Sequence, residues 1–172
     1  PVRVAHRGAS GLAPENTLAA FERAIQLGVD AVEIDVRATR DGVVVVMHDP
    51  TIDRTTNQEG SVDEWTFSQL READAGGWFG PGFAGERIPT LQEVFDLVRH
   101  RAVAVVEIKA DWLAERVLKV AHDVDVVDQI VIQSFSPETV RRINAVDPLS
   151  VLPRFTSVPS CASRSRTTAS RP

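Results

Sequence analysis

Two histidines, three carboxylates and two cationic side chains fall in short polar clusters, each at the end of an apolar, β-branched run. His6-Arg7-Gly8 follows the run at 2–5, and Glu33-Ile34-Asp35 closes the run at 31–36. His48-Asp49-Pro50 follows 43–47, and Glu107-Ile108-Lys109 closes 102–108. Residues i and i+2 of a strand share a face, so Glu33 and Asp35 point one way, as do Glu107 and Lys109. In parallel α/β folds the carboxyl ends of the strands converge on the ligand site. Three carboxylates gathered there repel one another unless a cation joins them, and hard oxygen ligands favour Mg²⁺ or Ca²⁺. The absence of nearby cysteines argues against structural zinc. A phosphodiester needs its nonbridging oxygens neutralised, a proton taken from the nucleophile and a proton given to the leaving alkoxide. His6 and His48 are the candidates for the two proton transfers, and Arg7 and Lys109 are the candidate phosphate clamps.

Singly, these fragments have bland readings. Glu-x-Asp alone is a solvated strand face, Glu-x-Lys a surface ion pair worth little, and His48-Asp49-Pro50 a turn opener. Four such clusters at successive strand ends favour one shared site. His100 and His122 read differently: both sit at the ends of helical patterns, where a cation suits the helix dipole.

The elements that must hold these residues alternate. Near-continuous apolar strands are predicted at 2–5, 31–36, 43–47, 102–108 and 129–134, with a weaker sixth at 149–152, and they suit a sheet covered on both faces. Asn16 to Leu27 carries Leu18, Phe21, Ala24 and Ile25 at helical spacing, with Gly28 as a stop. Thr90-Leu91-Gln92-Glu93 is a capping box that opens a helix burying Leu91, Val94, Phe95 and Val98. Helices are also predicted over 112–122 and, behind the Ser136-Pro137 cap, over 138–146. Strand then helix, repeated, is the sign of βα units. Two stretches break the rhythm. Only six residues with Asp41-Gly42 turn chemistry separate the second and third runs, too few for a crossover helix. Residues 51–87 form a long insertion with clustered glycines, as functional lids and binding loops often do.

The 172 residues carry a net charge of −5, which argues against nucleic acid as a partner. No apolar run approaches the roughly 20 residues of a membrane helix. The single cysteine, Cys161, excludes an internal disulfide framework and fits a reducing compartment, so a cytoplasmic location is expected. After Asp147 come Arg154, Arg164, Arg166 and Arg171 with no acid, and residues 156–172 read as a disordered Ser/Arg-rich tail.

These motifs resemble the glycerophosphodiester phosphodiesterase family, within the barrel phosphodiesterases that include phosphoinositide-specific phospholipase C. The resemblance is carried by His6-Arg7-Gly8-Ala9, Pro14-Glu15-Asn16-Thr17, Glu33-Ile34-Asp35-Val36, His48-Asp49, Ile88-Pro89-Thr90-Leu91, Glu107-Ile108-Lys109 and Gln133-Ser134-Phe135. They occur in the family's order over roughly the first 150 residues. The resemblance implies a TIM-type (β/α) barrel over 1–155, hydrolysing glycerophosphodiesters to glycerol 3-phosphate and an alcohol. It implies His6 and His48 as the acid–base pair, and Glu33, Asp35 and Glu107 as ligands of one divalent cation. Arg7 and Lys109 would hold the phosphate. It also casts 51–87 as the family's insertion, in which Trp78, Phe79 and Phe83 either cover the substrate or pack the loop onto the barrel.

A complete (β/α)₈ barrel takes about 250 residues, and about six of eight strands are countable here. The barrel is therefore expected to be incomplete at its C-terminus, with open edges that invite self-association. The change of composition after Phe155 reads as a shifted frame or an early stop. A non-catalytic barrel remnant, serving as a binding or assembly module, is the alternative to the enzyme.

Overall fold

The computed structural model describes residues 1–146. The weak strand at 149–152, Cys161 and the tail at 156–172 lie outside the described residues. Four parallel strands form a sheet in the order β1 (Val4–Ala5), β2 (Ala31–Ala38), β4 (Val103–Ile108) and β5 (Ile130–Gln133). Helices α1 (Leu18–Gln26), α3 (Leu91–Val98), α4 (Ala114–Val124) and α5 (Pro137–Val146) accompany them. Helix neighbours follow chain order, α1 on α3, α3 on α4 and α4 on α5. This is the α/β layering of the TIM-type barrel that the sequence predicts.

Strand alternation sorts the side chains. Val32, Ile34 and Val36 of β2, with Ala104, Val106 and Ile108 of β4, join one buried cluster with Phe21, Leu91, Phe95, Val117 and Leu118 from the helices. The intervening residues, Glu33, Asp35 and Glu107 among them, therefore face the other side of the sheet. Each helix is delimited by a local device. The Thr17 side chain caps α1, accepting from the Ala20 amide, and Gly28 beyond its end takes φ +71°. Thr90 and Glu93 form the capping box of α3, as the sequence predicts.

The third run differs from its predicted place among the barrel strands. β3 (Val44–Val46) pairs antiparallel with β2 and lies off the main path of the sheet. The short Asp-Gly link dictates this, since a parallel partner needs a crossover of a dozen or more residues. β2 pairs with β4 from Ala31–Val103 as far as Val36–Ile108, while Val36, Arg37 and Ala38 pair with β3. The β2–β3 hairpin thus rises past the sheet and turns back. The Met47 amide donates to the Asp35 carbonyl, so the returning chain delivers His48 to the level of the β2 carboxylates.

The insertion packs onto the β3 hairpin through a second small core. Val45, Met47, Ile52, Val62, Leu70, Ala75 and Ile88 are buried together beneath a short helix, α2 (Phe67–Leu70). A fork from Arg71 to both Glu93 oxygens, at 2.6 and 2.7 Å, ties this unit to α3. His100 lies two residues beyond α3 at φ +59°, its amide donating to Gln129 Oε1, rather than in the last helical turn. His122 is in the last turn of α4 and exposed. Both histidines are structural or solvated, as read from the sequence.

Candidate active site

Register alone brings the three carboxylates together. Asp35 of β2 pairs directly with Glu107 of β4, and Glu33 sits one same-face step below Asp35. One oxygen from each of Glu33, Asp35 and Glu107 can be chosen so that all three lie within 4.8 Å of one another. All three residues are buried. Burial, followed by the charge of Asp35, pushes the Glu33 carboxyl up to about 7.

The donor set fits a divalent cation. Glu33 Oε1 and Asp35 Oδ1 are buried without a hydrogen-bond partner, a costly state unless a further group satisfies them. Lys109 Nζ stands beside them, 2.5 Å from Glu107 Oε1 and 2.8 Å from Asp35 Oδ1. The second contact is an ion pair, so Lys109 balances the charge of Asp35 Oδ1 although that oxygen has no hydrogen-bond partner. Burial alone would lower the Lys109 pKa, and its contacts with Asp35 and Glu107 outweigh that and raise it. The acidic cluster could hold one cation through Glu33, Asp35 and Glu107, all hard oxygen donors.

The loop after β1 supplies the first histidine. One step past the Ala5–Val32 pair, His6 reaches Glu33, with Nε2 4.0 Å from Oε2. Its side chain is 69% exposed, which leaves the ring open to a ligand. Arg7 adopts φ +56°, a left-handed conformation costly for arginine and often kept at functional sites. That turn aims its amide at Glu33 Oε2, 2.9 Å away. Gly8 follows at φ +78°, where any Cβ would meet the Ala20 backbone carbonyl carbon at 2.8 Å. Glycine alone lets this loop press against α1.

The Arg7 guanidinium is held from two sides, by Glu15 Oε1 at 2.9 Å and by Asp35 Oδ2 at 3.4 Å from Nε. It is mostly buried, a more enclosed setting than a free clamp would have. His48 comes on the returning hairpin, one residue past the Met47 amide that bonds the Asp35 carbonyl. Its Nδ1 lies 2.6 Å from Asp49 Oδ1, and Arg37 grips its carbonyl oxygen through Nε and Nη2 at 2.9 and 2.7 Å. Asp49 is drawn down to about 2, first by its bond from Arg54 and then by that from His48.

Several residues without a role assigned from sequence belong to this constellation. Asn16, buried at φ +57°, donates from Nδ2 to Asp35 Oδ2 at 3.0 Å and steadies that carboxylate. Glu15 bonds both Arg7 and Arg54. The available signal was Pro14-Glu15-Asn16-Thr17 itself, polar residues packed just before a capped helix. Arg37 and Arg54 gave no signal, because their partners are backbone or lie far away in sequence. The three insertion aromatics stack edge to face, Trp78 on Phe79 at 5.6 Å and Phe79 on Phe83 at 5.4 Å. Phe83 lines a cleft of about 390 Å³ with Leu12, Ala13, Ala19 and Arg23, on the α1 side. No helix among the described residues is long and apolar enough to cross a membrane.

Comparison with known proteins agrees with this geometry. The model of the glycerophosphoryl diester phosphodiesterase family matches residues 6–170. A glycerophosphodiester phosphodiesterase of Caldanaerobacter subterraneus subsp. tengcongensis is 44% identical over 151 residues, 84% of this chain and 62% of the relative. The crystal structure of a glycerophosphodiester phosphodiesterase from Agrobacterium tumefaciens superposes with a TM-score of 0.80 at 38% identity, covering 86% of this chain and 64% of that one. An Oleispira antarctica phosphodiesterase, solved in complex with the product sn-glycerol-3-phosphate, superposes with a TM-score of 0.77 at 34% identity, covering 88% and 64%. The chain spans a little under two thirds of the length of these relatives. With the carboxylate-lined strand ends, the histidine loops and these matches in agreement, the chain belongs to the glycerophosphoryl diester phosphodiesterase family.

Proposed function

We propose that this chain hydrolyses glycerophosphodiesters to glycerol 3-phosphate and an alcohol, using His6 and His48 as the acid–base pair and one divalent cation, Mg²⁺ or Ca²⁺. The observation that carries the reading is the buried triad of Glu33, Asp35 and Glu107, with unsatisfied oxygens, beside the loop of His6 and one residue from where the chain leading to His48 bonds the Asp35 carbonyl. The bound product named for the Oleispira antarctica relative supports glycerol 3-phosphate as the retained half of the substrate.

When bound, a divalent cation supplies charge neutralisation for the nonbridging phosphate oxygens. The chain's own residues do the rest. The Asp49 carboxylate can only accept, so it holds the His48 proton on Nδ1 and leaves Nε2 as the atom that exchanges protons with substrate. His6, exposed beside Glu33, would make the complementary transfer. Lys109, which pairs with Asp35 and Glu107, would pair with phosphate where a cation takes up the carboxylate charge, and the Arg7 guanidinium steadies the Asp35 side of the site.

The test is release of glycerol 3-phosphate from glycerophosphocholine or glycerophosphoethanolamine. It is expected to stop with chelator and to resume with Mg²⁺ or Ca²⁺. Wild-type rates in both His6→Ala and His48→Ala would overturn the assignment. Cation binding without turnover in the intact chain would instead favour a binding module that keeps the same carboxylates. An early cyclic phosphate product would show that a substrate hydroxyl, rather than water, attacks phosphorus.

A further inference from the structure

We propose that Glu15 and Arg54 are positioning residues for His48, forming a bridge across the site from Arg7 to the Asp49 carboxylate. The inference rests on the reading above that gives His48 a proton-transfer role. Arg54 commits all three guanidinium nitrogens. Nη1 and Nη2 fork onto Glu15 Oε2 and Oε1 at 2.9 and 2.7 Å, and Nε donates to Asp49 Oδ2 at 2.6 Å. The other Asp49 oxygen lies 2.6 Å from His48 Nδ1. At the far end, Glu15 Oε1 also accepts from Arg7 Nη1 at 2.9 Å. Arg7–Glu15–Arg54–Asp49–His48 is thus an unbroken alternation of donors and acceptors.

An isolated exposed ion pair contributes little to stability, and Arg54 is 46% exposed. This bridge differs in two ways. Its Arg–carboxylate contact is bidentate, which fixes direction as well as distance. Glu15, which links its two arginines, is only 13% exposed. Arg54 first, and Arg7 after the opposing effect of burial, hold the Glu15 carboxyl below its ordinary value, so the bridge stays charged at working pH. Glu15 belongs to the loop before α1 and Arg54 to the start of the insertion. The bridge therefore fixes the hairpin-borne histidine against the loop that carries His6 and Arg7. With Asp49 pinned from outside, the His48 ring has one tautomer and one orientation. Lysine cannot reproduce this, because an ammonium cannot fork onto Glu15 and reach Asp49 together.

The experiment compares the full chain with Arg54→Met, Arg54→Lys and Glu15→Gln. It reads kcat and KM on glycerophosphocholine, the imidazole tautomer of His48 by long-range ¹H–¹⁵N NMR, and the thermal melt. Arg54→Met is expected to lower kcat by about tenfold with KM changed by less than about twofold, as for a group that acts through a proton-transfer residue. His48 moves from one Nδ1–H tautomer to a mixture. Glu15→Gln shifts both readouts the same way by less, Arg54→Lys fails to restore them, and adding Glu15→Gln to Arg54→Met costs nothing further. A raised KM at unchanged kcat would make Arg54 a direct substrate contact and overturn the proposal. So would an unchanged tautomer in a cooperatively melting Arg54→Met protein. If Arg54→Met does not fold, Glu15→Gln decides by the same two readouts. If the wild-type chain shows no hydrolysis, the functional reading fails, and the tautomer measurement alone decides whether the bridge orients His48.

Discussion

The floor and the rim of the site are built by different means. Glu33, Asp35 and Glu107 stand on paired strands, and their separation is set by backbone register. His6 and His48 stand on loops: Glu33 ties the His6 loop by accepting from the Arg7 amide, and His48 is held by Asp49, Arg37 and, through Asp49, Arg54. The floor is buried and charge-crowded, and the rim is partly exposed and charge-paired. A cation site can be made rigid cheaply, because a parallel ladder already fixes the donors. On the proposed reading His6 and His48 transfer protons to a ligand that arrives from solvent, and they stand on segments that need separate restraint.

The largest expected effect comes from the floor. Asp35→Asn abolishes both hydrolysis and divalent-cation binding by calorimetry, while the circular dichroism spectrum stays folded. Next, His6→Ala and His48→Ala each lower kcat by about 10²- to 10⁴-fold, yet both bind the cation with wild-type affinity. If either histidine variant lost cation binding, the separation of floor from rim would fail.

The two regions are also expected to titrate with opposite sign. Without cation, Glu33 holds its proton up to about 7 in the folded chain against 4.5 when unfolded. The folded state then binds more protons, so stability falls as pH rises from 4.5 through 7. Asp49, lowered from 3.8 to about 2, contributes stability present above 3.8 and lost as pH falls through 2. Melts of chelated protein across pH 4 to 8 check the first trend, which saturating Mg²⁺ or Ca²⁺ is expected to remove. The smallest effect belongs to the insertion. Phe79→Leu breaks two edge-to-face contacts and is expected to cost about 1 kcal/mol of stability, with kcat/KM unchanged. A raised KM there would show that the aromatics cover substrate instead of packing the loop.

Much of the floor was legible in the sequence. The i, i+2 rule places Glu33 with Asp35 and Glu107 with Lys109, and strand ends in α/β folds do the rest. The helices were legible from caps and period, although α1 begins at Leu18 rather than Asn16 and α4 at Ala114 behind a tight turn at Asp111–Leu113. The direction of β3 was less plain. A run of four valines reads the same whether it adds a barrel strand or doubles back, and only the short link to β2 spoke for reversal. The rim's supports were not legible, because no local pattern marks the meeting of Arg54 with Glu15, 39 residues away. Such pairs are products of tertiary geometry.

The doubling back of β3 has a consequence for how such chains can vary. Residues 51–87 hang from a hairpin that is not one of the parallel strands, and they share a second buried cluster with Val45 and Met47 of its returning chain. Lengthening, shortening or exchanging that segment leaves the β2–β4 pairing untouched, and loop closure adds only slowly with length. The segment can therefore be exchanged without disturbing the sheet, provided that its first turn keeps an arginine where Arg54 meets Glu15. The hairpin is a graft point, and Arg54 is the stitch.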